Sequence, residues 1–117
     1  MKNAKEEFTF LKDISLEDFY REINLVEPSL IRVDADELTY SLHIMVRYEI
    51  EKRHNRWKYR CRGFTKSLEE KMEEYLGVVP STDSEGVMQD VHWSAGLVGY
   101  FHLMLWVVLT QLKYIIL

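Results

Sequence analysis

Apolar residues at Leu16, Phe19, Tyr20 and Ile23 recur at helical spacing, which predicts a first helix within "DISLEDFYREIN". Ser15, three residues ahead of Asp18, makes a capping-box pattern at its start. Pro28 then punctuates a short connector, "LVEPSLI". The longest uninterrupted pattern is "VDADELTYSLHIMVRYEIEK", residues 33 to 52, which holds neither Gly nor Pro and predicts a long helix. Ala35, Leu38, Leu42, Met45 and Val46 fall on one stripe of that helix. Arg32 (just before it), Asp36, Thr39, Tyr40, His43 and Arg47 fall on the opposite stripe. A solvated face is the ordinary reading of such a polar stripe; a face lining a cleft is the sharper one.

A third helix is predicted over "SLEEKMEEYLG". Ser67 and Glu70 form a second capping box, Leu68, Met72 and Tyr75 supply the apolar face, and Gly77 is the stop. "VVPSTDSEG" reads as a loop, and no internal repeat is present. Two stretches break the pattern. Residues 52 to 66, "KRHNRWKYRCRGFTK", hold seven Lys or Arg and no acid, and residues 101 to 117, "FHLMLWVVLTQLKYIIL", are almost wholly apolar.

With 117 residues, 47% of them hydrophobic, the chain forms at most one small domain. Its net charge of −4 argues against a nucleic-acid binder. Trp57, Tyr59 and Phe64 within the basic run superficially suit single-stranded nucleic acid, yet a solvated loop is the commoner outcome of such a run. Cys61 is the only cysteine, so no internal disulfide forms and a reducing, cytoplasmic setting is expected. "MKNAKEEFTF" carries no apolar stretch of the signal-peptide kind. From Leu97 onward the tail reaches the ~20 residues that a membrane span needs. His102 and Lys113 would be costly inside lipid. A small tail-anchored membrane or interaction protein using residues 97 to 117 is therefore the alternative reading.

Self-contained catalytic motifs are missing. There is no His-Glu-x-x-His, no phosphate-binding Gly-rich loop, no Cys-x-x-Cys and no nucleophile elbow. His43 near Asp36 reads as a structural histidine, because two groups do not make a metal site. One stretch remains unaccounted for by helix formation: "GVMQDVHWSAGLVGYF", residues 86 to 101, which gathers an amide, a carboxylate, an imidazole and an indole within five positions.

That stretch, with "EDFYREINLVEPSLIRVDADELTYSLHIMVRYEIEK" and "EEKMEEYLGV", resembles the C-terminal part of the thermostable, Taq-type zinc metallocarboxypeptidases. The family's Ile-Arg-x-x-Ala-Asp-Glu motif is met by Ile31, Arg32, Ala35, Asp36 and Glu37. Its Gly-x-x-Gln-Asp-x-His-Trp motif is met by Gly86, Gln89, Asp90, His92 and Trp93. The resemblance implies an all-α fold, namely the helical C-terminal quarter of a larger, mostly helical enzyme with a deep groove, as a single partial domain over 1–117. It also implies peptide substrates and a homodimer in the full-length family. The family's zinc is held by a His-Glu-x-x-His helix and a downstream glutamate, and neither matches a residue here. No zinc is therefore expected on this chain alone, and it is expected to be inactive alone unless an N-terminal fragment complements it. Substrate handling is what the resemblance carries over. Arg32 would grip the substrate carboxylate, held by Asp36 one turn on, while Gln89, Asp90 and His92 would line the groove. Trp93 is expected to pack.

The two aberrant stretches, 53–68 and 102–117, depart from the family pattern. Back-translated with synonymous codons and read one base away, they can spell family-like segments. Trp57 followed by Lys58, and Trp106 followed by Val107, are forced to yield glycines where the family has them. Frameshifts in the gene are the expected cause. The apolar tail would then form a sticky patch prone to aggregation.

Overall fold

The computed structural model describes residues 12–54 and 63–116, and among these all regular structure is helical. Five α-helices follow in order: α1 (Leu16–Ile23), α2 (Glu37–His54), α3 (Phe64–Leu76), the single-turn α4 (Val91–Ser94) and α5 (Tyr100–Ile116). Short 3₁₀ turns at Arg32–Asp34 and Val87–Gln89 precede α2 and α4. The fold is all-α, as the sequence implies.

The start of α1 follows its local chemistry. The Ser15 hydroxyl accepts the backbone N–H of Asp18 at 3.0 Å and donates to the Asp18 carboxylate at 2.6 Å. Its apolar face has little to pack against, for Leu16, Tyr20 and Ile23 are each more than half exposed.

The second helix begins at Glu37, four residues later than the predicted start at 33, because Asp36 caps it. One carboxylate oxygen accepts the N–H groups of Leu38 (2.9 Å) and Thr39 (2.8 Å), and the other takes the Thr39 hydroxyl (2.9 Å) and the Glu27 N–H (3.1 Å). The amphipathic pattern is redistributed here. Leu38, on the apolar stripe, is 63% exposed, whereas Thr39, His43 and Arg47 of the polar stripe are buried. The solvated-face reading is thereby overturned. Being the central helix, α2 is covered on two sides: Val46 and Ile50 pack with Leu68, Met72 and Leu76 of α3, and α5 lies across another face. Each such buried aliphatic side chain contributes about 1.5–3 kcal/mol.

Gly63, at φ 111°, leads into α3, so that helix starts at Phe64 and the Ser67 N–H already bonds back to the Gly63 carbonyl (2.9 Å). Ser67 thus lies within the first turn, and the capping box expected with Glu70 does not mark the start. The stop is where the sequence places it. Gly77 adopts φ 70° and its N–H closes on the Glu73 carbonyl at 3.0 Å. Lys71 pairs with Glu49 of α2 (2.8 Å) and the Tyr75 hydroxyl donates to the same carboxylate (2.8 Å), tying the outer edges of α2 and α3 together.

The connector after α3 folds back so that Gly86 lies against it. A Cβ at Gly86 would come within 3.3 Å of the Pro80 Cβ and 3.5 Å of the Leu68 side chain. This close return delivers residues 89 to 93 to α2. Most of the basic run, residues 55–62, lies outside the described residues. The apolar tail forms α5. Phe101 is fully buried against α2, while Leu103, Trp106 and Leu109 are half or more exposed. Among the described residues no helix is long and apolar enough to cross a membrane.

Candidate functional site

Asp90 is the centre of the site. Its side chain is fully buried, and each oxygen serves a different arginine. Oδ1 accepts from Arg32 Nε at 3.0 Å, and Oδ2 accepts from Arg47 Nε in a short hydrogen bond. The 3₁₀ turn before α2 supplies Arg32, the middle of α2 supplies Arg47, and the start of α4 supplies the carboxylate.

Arg47 is wholly enclosed, and its Nη1 donates to the His43 carbonyl one turn earlier at 3.1 Å. Burial lowers the Arg47 pKa from its ordinary value, with the Asp90 charge opposing that shift. Beside it His43 is pushed down to about 4, first by burial and then by the Arg47 charge, so its imidazole is neutral near pH 7. The Phe101 ring centroid lies 5.9 Å from the Arg32 guanidinium carbon and 6.0 Å from that of Arg47. Arg32 is also 5.9 Å from the Tyr40 ring, and its Nη1 donates to the Tyr40 hydroxyl at 3.3 Å.

The neighbouring motif residues hold this cluster together. Gln89 is a backbone clamp: its Oε1 accepts the Arg32 N–H (3.0 Å), and its Nε2 donates to the carbonyls of Leu30 (2.8 Å) and Glu85. His92 stacks on Tyr100 with centroids 4.2 Å apart and meets the edge of Phe101. Its Nδ1 is buried without a hydrogen-bond partner among the described residues and lies 3.9 Å from Asp90 Oδ1. Trp93 packs against Phe64 and Phe101, and its indole N–H donates to Glu51 at 3.1 Å. Glu51 also meets His102 Nδ1 of α5 at 3.0 Å.

Four of the five sequence-derived site residues therefore assemble: Arg32, Gln89, Asp90 and His92. Asp36 does not hold Arg32. Its carboxylate is used by the N-terminus of α2, whose N–H groups, Thr39 foremost, lower its pKa. Asp90, distant in sequence, takes the role expected of Asp36. Two further members, Arg47 and His43, were visible only as part of the polar stripe. Phe101, on which both guanidiniums lie, had no signal beyond its place after Tyr100.

Chemically, two guanidiniums share one carboxylate, so the cluster carries one surplus positive charge in a water-poor setting. Such a site suits an anion that meets the more open arginine; the Arg32 side chain is 13% exposed and that of Arg47 is not exposed at all.

The sequence profile of the Carboxypeptidase Taq (M32) metallopeptidase family matches residues 2–104. The chain belongs to this family. The M32 chain is 52% identical over 98 residues to thermostable carboxypeptidase 1 of Thermus thermophilus, which covers 84% of this chain and 19% of that protein. It is 53% identical over 90 residues to carboxypeptidase 1 of Bacillus subtilis, covering 77% of this chain and 18% of that one. A structure of Pyrococcus furiosus carboxypeptidase superposes with a TM-score of 0.81 at 34% identity, over 96% of this chain and 23% of that chain. The M32 chain thus spans about a fifth of the length of the curated relatives it matches.

Metallopeptidase chemistry implies a metal in the full-length family, and the residues described here do not fit one. No three His, Cys, Asp or Glu side chains converge to hold an ion among the described residues. Asp90 is committed to its two arginines, and Glu51 to Trp93 and His102.

Proposed function

We propose that this chain forms the substrate-carboxylate end of the groove of a zinc-dependent metallocarboxypeptidase that removes C-terminal amino acids from peptides. In this reading Arg32 grips the free carboxylate of the peptide, and His92 with its Tyr100 stack forms the adjoining wall. Gln89 fixes the backbone from which Arg32 projects. The observation that carries the reading is the surplus positive charge where Arg32 and Arg47 share Asp90, with Arg32 the member nearer solvent. A carboxypeptidase must distinguish a chain end from an internal peptide, and a guanidinium edge does so through paired hydrogen bonds to a carboxylate.

On this reading the chain is a fragment that hydrolyses nothing by itself, since the family's His-Glu-x-x-His helix matches no part of its sequence. The exposed apolar face of α1 favours a complementing polypeptide equivalent to the preceding part of the family fold. The tail after residue 104 lies beyond the family match and leaves Trp106 exposed, which supports a displaced reading frame there. The test is release of C-terminal amino acids from a blocked dipeptide in the presence of zinc or cobalt. The chain alone should read blank. Co-expression with the upstream four-fifths of the Thermus thermophilus relative should restore metal-dependent release, and metal-dependent activity of the isolated chain would refute the fragment reading.

A further inference from the structure

An arginine and a carboxylate left to themselves prefer a two-pronged pairing, in which both oxygens meet one guanidinium edge. Asp90 does not offer Arg32 that arrangement. Its Oδ2 is held by Arg47 Nε, and only Oδ1 reaches Arg32, through Nε at 3.0 Å. On the same guanidinium Nη1 makes one long bond, 3.3 Å, to Tyr40, and Nη2 makes no hydrogen bond among the described residues. The arginine nearer solvent is thus the under-committed one.

We propose that Arg47, which never meets the substrate, is a positioning residue: by occupying one oxygen of Asp90 it keeps the Nη edge of Arg32 free for a carboxylate. This rests on the reading of Arg32 given under Proposed function.

Three features of the cluster support it. Arg47 is fully buried and its Nη2 has no hydrogen-bond partner among the described residues, a costly placement that packing alone would fill with an aliphatic side chain. Its position is set by α2 rather than by Asp90, because Nη1 is anchored on the His43 carbonyl at 3.1 Å. It also decides the charge. With Arg47 the cluster of two guanidiniums and one carboxylate is net positive. Without it, Arg32 and Asp90 would close into a neutral two-pronged pair, and an incoming carboxylate would meet no net charge. Neutral His43 adds nothing to the sum.

The test uses the full 117-residue chain and nitrogen-15 NMR of its arginine side chains. In the free protein the Nε–H of Arg32 should be protected from solvent exchange while its Nη protons exchange fast. Equal protection of both would mean that Arg32 is already paired two-pronged, and would overturn the proposal without any variant. N-acetylglycine serves as the carboxylate probe and N-acetylglycinamide as its uncharged control. In Arg47→Met the Arg32 Nη protons should become protected and affinity for N-acetylglycine should fall about tenfold or more. Arg47→Lys, which keeps the charge, should restore most of that affinity. Unchanged Nη exchange and unchanged affinity in a folded Arg47→Met chain would refute the role of Arg47. Wild-type binding of N-acetylglycine no tighter than of the amide would instead refute the carboxylate reading of Arg32, while the exchange pattern in the free protein still reports on Arg47.

Discussion

Asp90 and Arg47 meet as a fully buried ion pair although 43 positions separate them in the chain. This contact fixes the short α4 segment to the middle of α2 and, through the second oxygen of Asp90, fixes Arg32 as well. Removing one partner of such a pair leaves the other charge buried and uncompensated. Asp90→Asn should therefore destabilise the chain by about 3–5 kcal/mol in urea denaturation. A loss below about 1 kcal/mol, the range of a solvent-exposed pair, would contradict the buried geometry.

Gln89 joins three backbone groups, the Arg32 N–H and the carbonyls of Leu30 and Glu85. Gln89→Leu keeps the size and removes all three bonds. The expected cost is about 1–3 kcal/mol from the stranded backbone groups. The Arg32 amide should also exchange faster with solvent, and unchanged amide protection at Arg32 would show that Gln89 is not its clamp.

Asp36→Ala separates helix capping from the proposed carboxylate binding. Loss of the carboxylate should fray the first turn of α2 and lower the melting temperature, while affinity for N-acetylglycine stays near that of the wild type. A large loss of affinity without loss of stability would restore Asp36 to the site.

The pH dependence follows from His43, whose pKa falls from 6.5 unfolded to about 4 folded. Between those values the unfolded chain binds the extra proton, so stability rises with pH. The contribution is complete above pH 6.5 and is lost as pH falls toward 4. Replacing His43 by Gln should flatten the stability profile between pH 6.5 and 4.5, measured by urea denaturation at each pH. An unaltered slope would place the acid sensitivity elsewhere.

Leu103 and Trp106 project from α5 at 67% and 72% exposure. Such apolar side chains on a small domain favour association. The double variant Leu103→Lys, Trp106→Lys should therefore shift sedimentation toward the monomer, with helix content by circular dichroism unchanged. Equal aggregation in the double variant would turn attention to the exposed face of α1.

Local signals in the sequence translated directly into structure where the partners are near neighbours. Ser15 caps α1 and Gly77 stops α3 because each acts within four residues of itself. Ser67 failed as a helix start because Gly63, in the left-handed conformation, begins the helix one turn earlier. The polar stripe of α2 was legible as a stripe, but spacing has no information on what covers it. Arg47 is met by residues recruited from far along the chain, Asp90 just before α4 and Phe101 of α5.

By itself the sequence determined the helical class, the rough extents of the first three helices and the family, and it named four residues that the structure brings together, because periodicity, caps and ordered motifs are properties of neighbours along the chain. Only the tertiary structure decided which acid holds Arg32, that Gln89 serves the backbone, and that Arg47 belongs to the cluster. The physical reason is that a buried charge chooses its partner by burial and distance in space. Asp36 was already committed to the nearby N–H groups of α2, which left Asp90 as the carboxylate between the two arginines.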